Sequence, residues 1–398
     1  MSQTAAPVAA EAKAKRQKSV PKQRVGWVDA AKGLCILLVV LGHAITELQA
    51  HGYYTAQWAG INFFLGPIRM PLFFLLSGLF AGKALKESWH KLANRRIWVM
   101  VYLYVIWVPL RDFVLFLMPY THVDADGIVS PPPITDQSAW GPRIYNTLHA
   151  VIEPTSYLWF LWALALFAIL TRAFRWVHPV IQLIVSGLIS AWAPFASSSW
   201  SWDFVSKMLF FYVLGMYGAP WIFRMAQRRS GLSLLVTLTA FLSVAIWVQA
   251  TYSSFNEGNV GFTRVYLSTT GALAAINVMA MLQNTRLVVP FEKIGGRTLP
   301  IFLMHIPMLV VVMIICDLIL PKDPHLVIMT PLVAIIAAML CLGLHRLLLA
   351  IGAGWLFVRP AWVVRMTTPG QRALQRSQNA SSLSEGEAPH QLKSEPAS

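Results

Sequence analysis

The sequence predicts an all-α, polytopic membrane protein, and three observations carry that prediction. Hydrophobic residues make up 56% of the 398 and charged residues only 12%, where soluble globular chains carry about 25% charge. Mean hydropathy is +0.56, and the aromatic residues include 16 Trp and 21 Phe. The apolar residues gather in ten runs, each near the roughly 20 helical residues that cross a bilayer core. All ten exceed the length of a membrane β-strand, which alternates over about ten residues. Water would leave such an apolar surface uncovered, whereas lipid requires it.

The runs fall near 28–49, 58–82, 97–118, 157–173, 178–196, 204–223, 231–251, 262–282, 299–320 and 327–350. The first is too long for a cleavable signal peptide, contains Lys32 and His43, and has no small-residue cleavage site behind its apolar core. Basic residues set the orientation. With the amino terminus inside, the inner segments hold 24 of the 32 Lys and Arg, and the outer loops hold only Arg143, Arg264 and Lys322. That bias predicts about ten transmembrane helices with both termini cytoplasmic. It also accounts for the net charge of +15 without a nucleic-acid partner, which would need a basic folded face. A basic inner rim suits anionic lipid head groups or a phosphate-bearing substrate.

Residues 1–27 read as a basic cytoplasmic tail, 28–358 as one membrane domain and 359–398 as a second cytoplasmic tail. Residues 1–24 and 366–398 hold too few apolar residues to bury a core and are expected to be disordered. The stretch 119–156, with Pro131-Pro132-Pro133, is the one long external loop and suits a lid or rim on the acceptor side. No internal repeat of fixed period is visible, and the remaining length leaves no room for an appended catalytic domain. Cys35, Cys316 and Cys341 lie in apolar runs, giving neither a disulfide framework nor a metal-ligand spacing. No metal is expected.

Function is best sought among polar groups inside the spans, because a charge at a span centre costs about 2.5–3.5 kcal/mol on insertion scales. The first run carries Asp29, Lys32, His43 and Glu47. Asp29 and Lys32, three apart, can pair near the inner boundary. His43 and Glu47 share a helical face four residues apart, where a carboxylate can orient an imidazole and stabilise its protonated form, as general-base chemistry asks. The plainer alternatives are a Lys32 that snorkels to inner head groups and a Glu47 that sits in the outer interface. Arg69 lies in the second run between Pro67 and Pro71. Counted from the inner ends of their runs, His43 stands about 22 Å up and Arg69 about 20 Å up on antiparallel neighbours, so the two can face one cavity; tying helices through backbone carbonyls is the structural alternative for Arg69. Ser77-Gly78 reads as a packing contact rather than a nucleophile. Lys83, Lys86, Lys91, Arg95 and Arg96 run into the third span, a natural place for phosphates, though positive-inside usage puts the same residues there. His305, His345 and Arg346 carry no assigned role, and each histidine alone reads more simply as a packed residue than a catalyst.

Three runs together resemble the membrane-bound acyltransferase-3 family, which includes O-antigen and peptidoglycan O-acetylases, nodulation-factor acetylases and periplasmic-glucan succinylases. They are the basic-x10-His pattern of Lys32 and His43, the run Arg69-Met-Pro-Leu-Phe-Phe-Leu-Leu-Ser-Gly, and Gly-Arg-Thr-Leu-Pro-Ile-Phe-Leu-Met-His305. Trp159-Phe-Leu-Trp162 is similar to the family's aromatic fourth-span signature. The resemblance covers about residues 27–350. It implies an O-acyltransferase of the bacterial inner membrane, moving an acyl group, acetyl or succinyl, from acyl-CoA to a hydroxyl of an envelope glycan or lipid. By that resemblance His43 is the catalytic base, Lys32 and Arg69 are its supporting cations, and Arg95 or Arg96 contact the CoA phosphates, with Lys91 four residues before Arg95. The first-span basic residue is Lys where Arg is commoner, and Arg95-Arg96 form an adjacent pair. Without an outer hydrolase-like domain, transfer finishes within the membrane unit or on a partner protein at the outer face. The competing class is a transporter of a lipid-linked or small polar substrate; matched halves and ion-coupling acids would mark it, whereas the buried ionisable groups here are mainly basic.

Overall fold

The computed structural model describes residues 25–117, 157–196, 200–252, 259–322 and 328–367, together with residues 145, 148–150 and 153. The sequence stretches read as disordered tails and as an external lid lie almost entirely outside the described residues. Every described element is helical. Eight helical stretches are long and apolar enough to cross a membrane. In chain order they begin with α1 (Gly26–Ala50), α2 (Ala56–Gly78) and the stretch Trp89–Val114, which runs into α3 (Trp98–Leu117). The runs at 157–173 and 178–196 form shorter apolar helices, α4 (Trp159–Ala173) and α5 (Pro179–Ala196). The 15 residues of α4 reach only about 22 Å at 1.5 Å per residue, less than the hydrocarbon core. There follow α6 (Trp200–Arg228), α7 (Gly231–Thr251), α8 (Gly261–Leu282), the short α9 (Val289–Gly295), α10 (Thr298–Ile319), α11 (Met329–Ala350) and the short α12 (Ala361–Thr367). The protein is therefore an all-α polytopic membrane protein.

The first and tenth helices form its centre. Most of the apolar window of α1 and of α10 is buried within the protein, whereas α7 keeps Leu235, Val236 and Ile246 exposed, as a lipid-facing helix does. Small residues set the tightest approaches. A Cβ on Gly33 would meet the Phe291 carbonyl and one on Gly295 the Asp29 carbonyl, so α9 lies directly on the amino-terminal end of α1. Gly78 and Gly215 do the same for α2 and α6, against the carbonyls of Tyr212 and Leu75. Close backbone approach of this kind is how membrane helices associate when water supplies no driving force between them.

Prolines inside spans leave carbonyls without their usual amide, and neighbouring side chains use some of them. Pro307 cannot donate to Leu303; the Tyr157 hydroxyl does so instead, at 2.7 Å, tying the start of α4 to the middle of α10. Independently of the prolines, the Arg69 carbonyl accepts the Cys35 thiol at 2.5 Å, linking α2 to α1. Beyond α11 the chain turns back on α3. Tyr102 and Trp107 donate to the carbonyls of Trp355 and Leu356, each at 2.7 Å.

Candidate active site

His43 sits half-buried in α1, well along from the amino-terminal end of that helix. Its neighbour Gly42 explains how Arg69 approaches: a Cβ there would collide with the Arg69 guanidinium, so only a glycine leaves room for the cation against this turn of α1. Arg69 Nη1 also donates to Asn62 Oδ1 at 3.0 Å, two turns earlier on α2, which holds the side chain along its own helix. The similar depths counted from the sequence correspond to direct packing of these two segments. Glu47 is only 1% exposed, covered by protein one turn above His43.

The same face of α1 continues upward to His51, another four residues on, whose ring nitrogen Nδ1 lies 2.6 Å from Asp317 Oδ2 at the end of α10. Around the turn between α1 and α2, an open depression of about 490 Å³ is lined by Gln49, Gly52, Tyr53, Tyr54, Thr55, Ala56 and Lys322. His43, Glu47 and His51 thus run along one stripe of α1 and its C-cap toward this depression. The repeat of four was present in the sequence, and extending it by one step finds His51.

The ninth apolar run brings a second imidazole to the first. His305 of α10 is fully buried, and its ring centroid lies 5.1 Å from that of His43. Tyr157 packs edge-on to His305 at 5.0 Å, and Arg111 lies over the Tyr157 ring at 5.6 Å. The aromatic signature of α4 closes the space beneath. Phe160 meets Phe73 and Phe74 of α2 at 4.7 and 4.8 Å and Phe302 of α10 at 5.3 Å. His345 lies elsewhere, edge-on to Phe357 at 4.5 Å, and Arg346 is exposed. Ser77 returns its hydroxyl to the Phe73 carbonyl of its own helix at 2.8 Å, an arrangement of packing rather than nucleophilic attack.

Lys32 does not reach His43. Eleven residues of helix separate them by about 16 Å, and Lys32 lies 3.9 Å from Asp29 and over the Phe80 ring at 5.7 Å. Arg96 joins it there by donating to the Phe80 carbonyl at 2.6 Å. Arg95 is pointed away, with its side chain 63% exposed and paired to Glu87 at 2.9 Å. Lys91 is exposed at the start of the same segment. A π-type bulge, Ala93–Ile97, presents these residues; such bulges re-aim side chains that a regular helix would line up. Arg359 holds the bulge from outside, donating to both the backbone and side-chain oxygens of Asn94 at 2.5 and 2.7 Å. Sequence reasoning counted Arg172 only as an orientation signal. It is buried at the end of α4 with its guanidinium over the Trp89 ring at 5.5 Å, and its Nε and Nη1 have no protein hydrogen-bond partner. Among the described residues no group of three or more His, Cys, Asp or Glu is arranged to hold a metal.

Comparison with known proteins bears on the family of the chain. Residues 25–349 match a family profile described as an acyltransferase domain. The inner membrane protein YcfT of Escherichia coli (strain K12) is 26% identical over 247 residues, which cover 57% of this chain and 66% of YcfT, just under two thirds of its length. No solved structure matches. With the profile spanning nearly the whole helical bundle and both polar clusters, the chain belongs to the membrane-bound acyltransferase-3 family.

Proposed function

We propose that this protein is an inner-membrane O-acyltransferase that takes an acyl group, acetyl or succinyl, from acyl-CoA on the cytoplasmic side. Its acceptor is a hydroxyl of an envelope glycan or lipid reached from the outer side. The observation that carries the reading is the packing of the Arg69 guanidinium on Gly42, next to His43, deep within α1. This brings the cation to the turn of α1 that carries the base, both partly shielded from solvent, where charges interact more strongly than in open water.

In the proposed reaction His43 removes the proton of the acceptor hydroxyl as its oxygen attacks the thioester carbonyl. Arg69 stabilises the oxyanion that develops, and the C–S bond then breaks. The proton on His43 passes to the departing CoA thiolate, so an ester and a free thiol leave and the imidazole returns to its starting state. Glu47, one turn above, offsets the positive charge the ring gains when it takes the proton. The donor's phosphates lie along the inner surface that holds Lys32, Lys91, Arg95, Arg96 and Arg172. The relative named an inner membrane protein supports the location, and a separate protein on the outer face is a natural recipient of product.

Mass spectrometry of envelope glycans and lipids from cells with and without the gene tests this. A mass increment present only with the gene identifies acyl group and acceptor together. An unchanged envelope in cells that make the inserted protein would defeat the proposal.

A further inference from the structure

His305 stands in an unusual chemical position. Its Nδ1 lies 2.8 Å from the Phe302 carbonyl and 3.2 Å from the Ile301 carbonyl of its own helix. A carbonyl accepts and never donates, so Nδ1 must carry the ring proton, and Nε2 is left as a bare lone pair. That nitrogen is buried and receives no hydrogen bond from any described protein group. Burying an acceptor without a donor costs about 1–3 kcal/mol, so a donor is expected against it.

Three rings surround His305. Phe302 has no donor, and the Tyr157 hydroxyl is already given to the Leu303 carbonyl at 2.7 Å. The third is His43, with ring centroids 5.1 Å apart and planes inclined by 48°. It alone among the three rings carries an N–H for Nε2 to accept.

We propose that His305 is a positioning residue for His43: as the acceptor hydroxyl enters, the His43 ring turns the short distance needed to donate its N–H to the backbone-locked Nε2, which is an unmet acceptor in the structure, so that the other nitrogen of His43 presents its lone pair to the hydroxyl. The inference rests on the reading of His43 as the base. His305 takes no proton in the cycle. When His43 gains the hydroxyl proton, both its nitrogens bear hydrogen, and the hydrogen bond to Nε2 persists and strengthens because its donor is now charged. The proton leaves with the CoA thiol as before. A neutral histidine fixed by two carbonyls is well suited to this task, because one tautomer is selected by backbone geometry and not by a second mobile side chain.

The test uses membrane vesicles containing the full chain and their native acceptors, with radiolabelled acetyl-CoA and, separately, succinyl-CoA supplied to the inner face. His305→Asn keeps a donor near the Nδ1 position and removes the Nε2 acceptor; His305→Gln places an oxygen close to Nε2. The expected result is a fall in kcat of about 10-fold or more for His305→Asn, less than the 10²–10⁴ expected for loss of a general base. KM for donor should stay unchanged, activity should return substantially in His305→Gln, and abundance should be equal in all three. In addition, His43→Ala with His305→Asn should be no slower than His43→Ala alone, since residues acting as a unit are non-additive.

Equal activity in His305→Asn and wild type would overturn the inference while leaving the base reading standing. Additive losses in the double variant, or a loss confined to KM, would overturn it by showing that His305 acts on substrate directly. Undiminished transfer in His43→Ala, or no label transferred from either donor by wild type, would instead remove the reading beneath it.

Discussion

At the scale of single residues, the proposed chemistry turns on a histidine kept inside a span at a cost in free energy. Replacing His43 by Ala should lower transfer by about 10²–10⁴-fold, the usual contribution of a general base, with insertion and abundance near normal. Product formed per inserted molecule is the quantity to measure, with His345→Ala as the control because that ring packs on Phe357 away from the site. Gly42 makes a sharper case. A methyl group at this position meets the end of a flexible side chain, the Arg69 guanidinium, so the helix can fold and the cation must move. Gly42→Ala should therefore cost activity by about 10-fold or more, as displaced oxyanion donors do, while the thermal midpoint in detergent changes little. A stable, fully active Gly42→Ala protein would count against Arg69 as the stabilising cation. His43, Glu47 and Arg69 were each legible in the sequence because an ionisable group in an apolar run is conspicuous. His305 stood out equally as a polar residue, but its distance from His43 is a property of packing between α1 and α10, which no spacing within either helix encodes.

Individual helices show how the frame around the site is held. Pro307 and Tyr157 form a matched pair: one frees the Leu303 carbonyl and the other fills it. Tyr157→Phe should destabilise the protein by about 1–3 kcal/mol through the unsatisfied carbonyl. Pro307→Ala restores an amide to that carbonyl, so the two substitutions together should cost less than their sum, a coupling that a double-mutant cycle in thermal unfolding measures. Additive costs would mean the hydroxyl serves another purpose. The apolar runs located these helices to within a few residues because hydropathy acts on each segment alone. One was nevertheless shorter than a crossing helix, α4 at 15 residues. The bulge at Ala93–Ile97 was likewise invisible, since its composition matches that of an ordinary basic turn. It nevertheless decides that Arg96 meets Phe80 while Arg95 meets Glu87.

For the molecule as a whole, the bias of basic residues predicts that a reporter fused after Ser398 is active only in the cytoplasm. Activity confined to the external compartment would invert the orientation and with it the side from which a donor enters. Given the predicted orientation, Lys32 and Arg96 gather at Phe80 near the cytoplasmic face, while His43 lies about 16 Å further along α1. That interval acts as a ruler. A donor that is to be gripped by its anionic end and cleaved at its thioester must carry the two at opposite ends of an arm of about this length. Replacing both Arg95 and Arg96 by Gln should then raise KM for acetyl-CoA about 10-fold or more, with the acceptor's KM unchanged. A truncated thioester such as S-acetyl-N-acetylcysteamine, which has no phosphate to be gripped, should be a poor donor for the wild type and for this double variant alike. Equal sensitivity of the long and the short donor to the two substitutions would mean that the inner cations hold the fold and measure nothing.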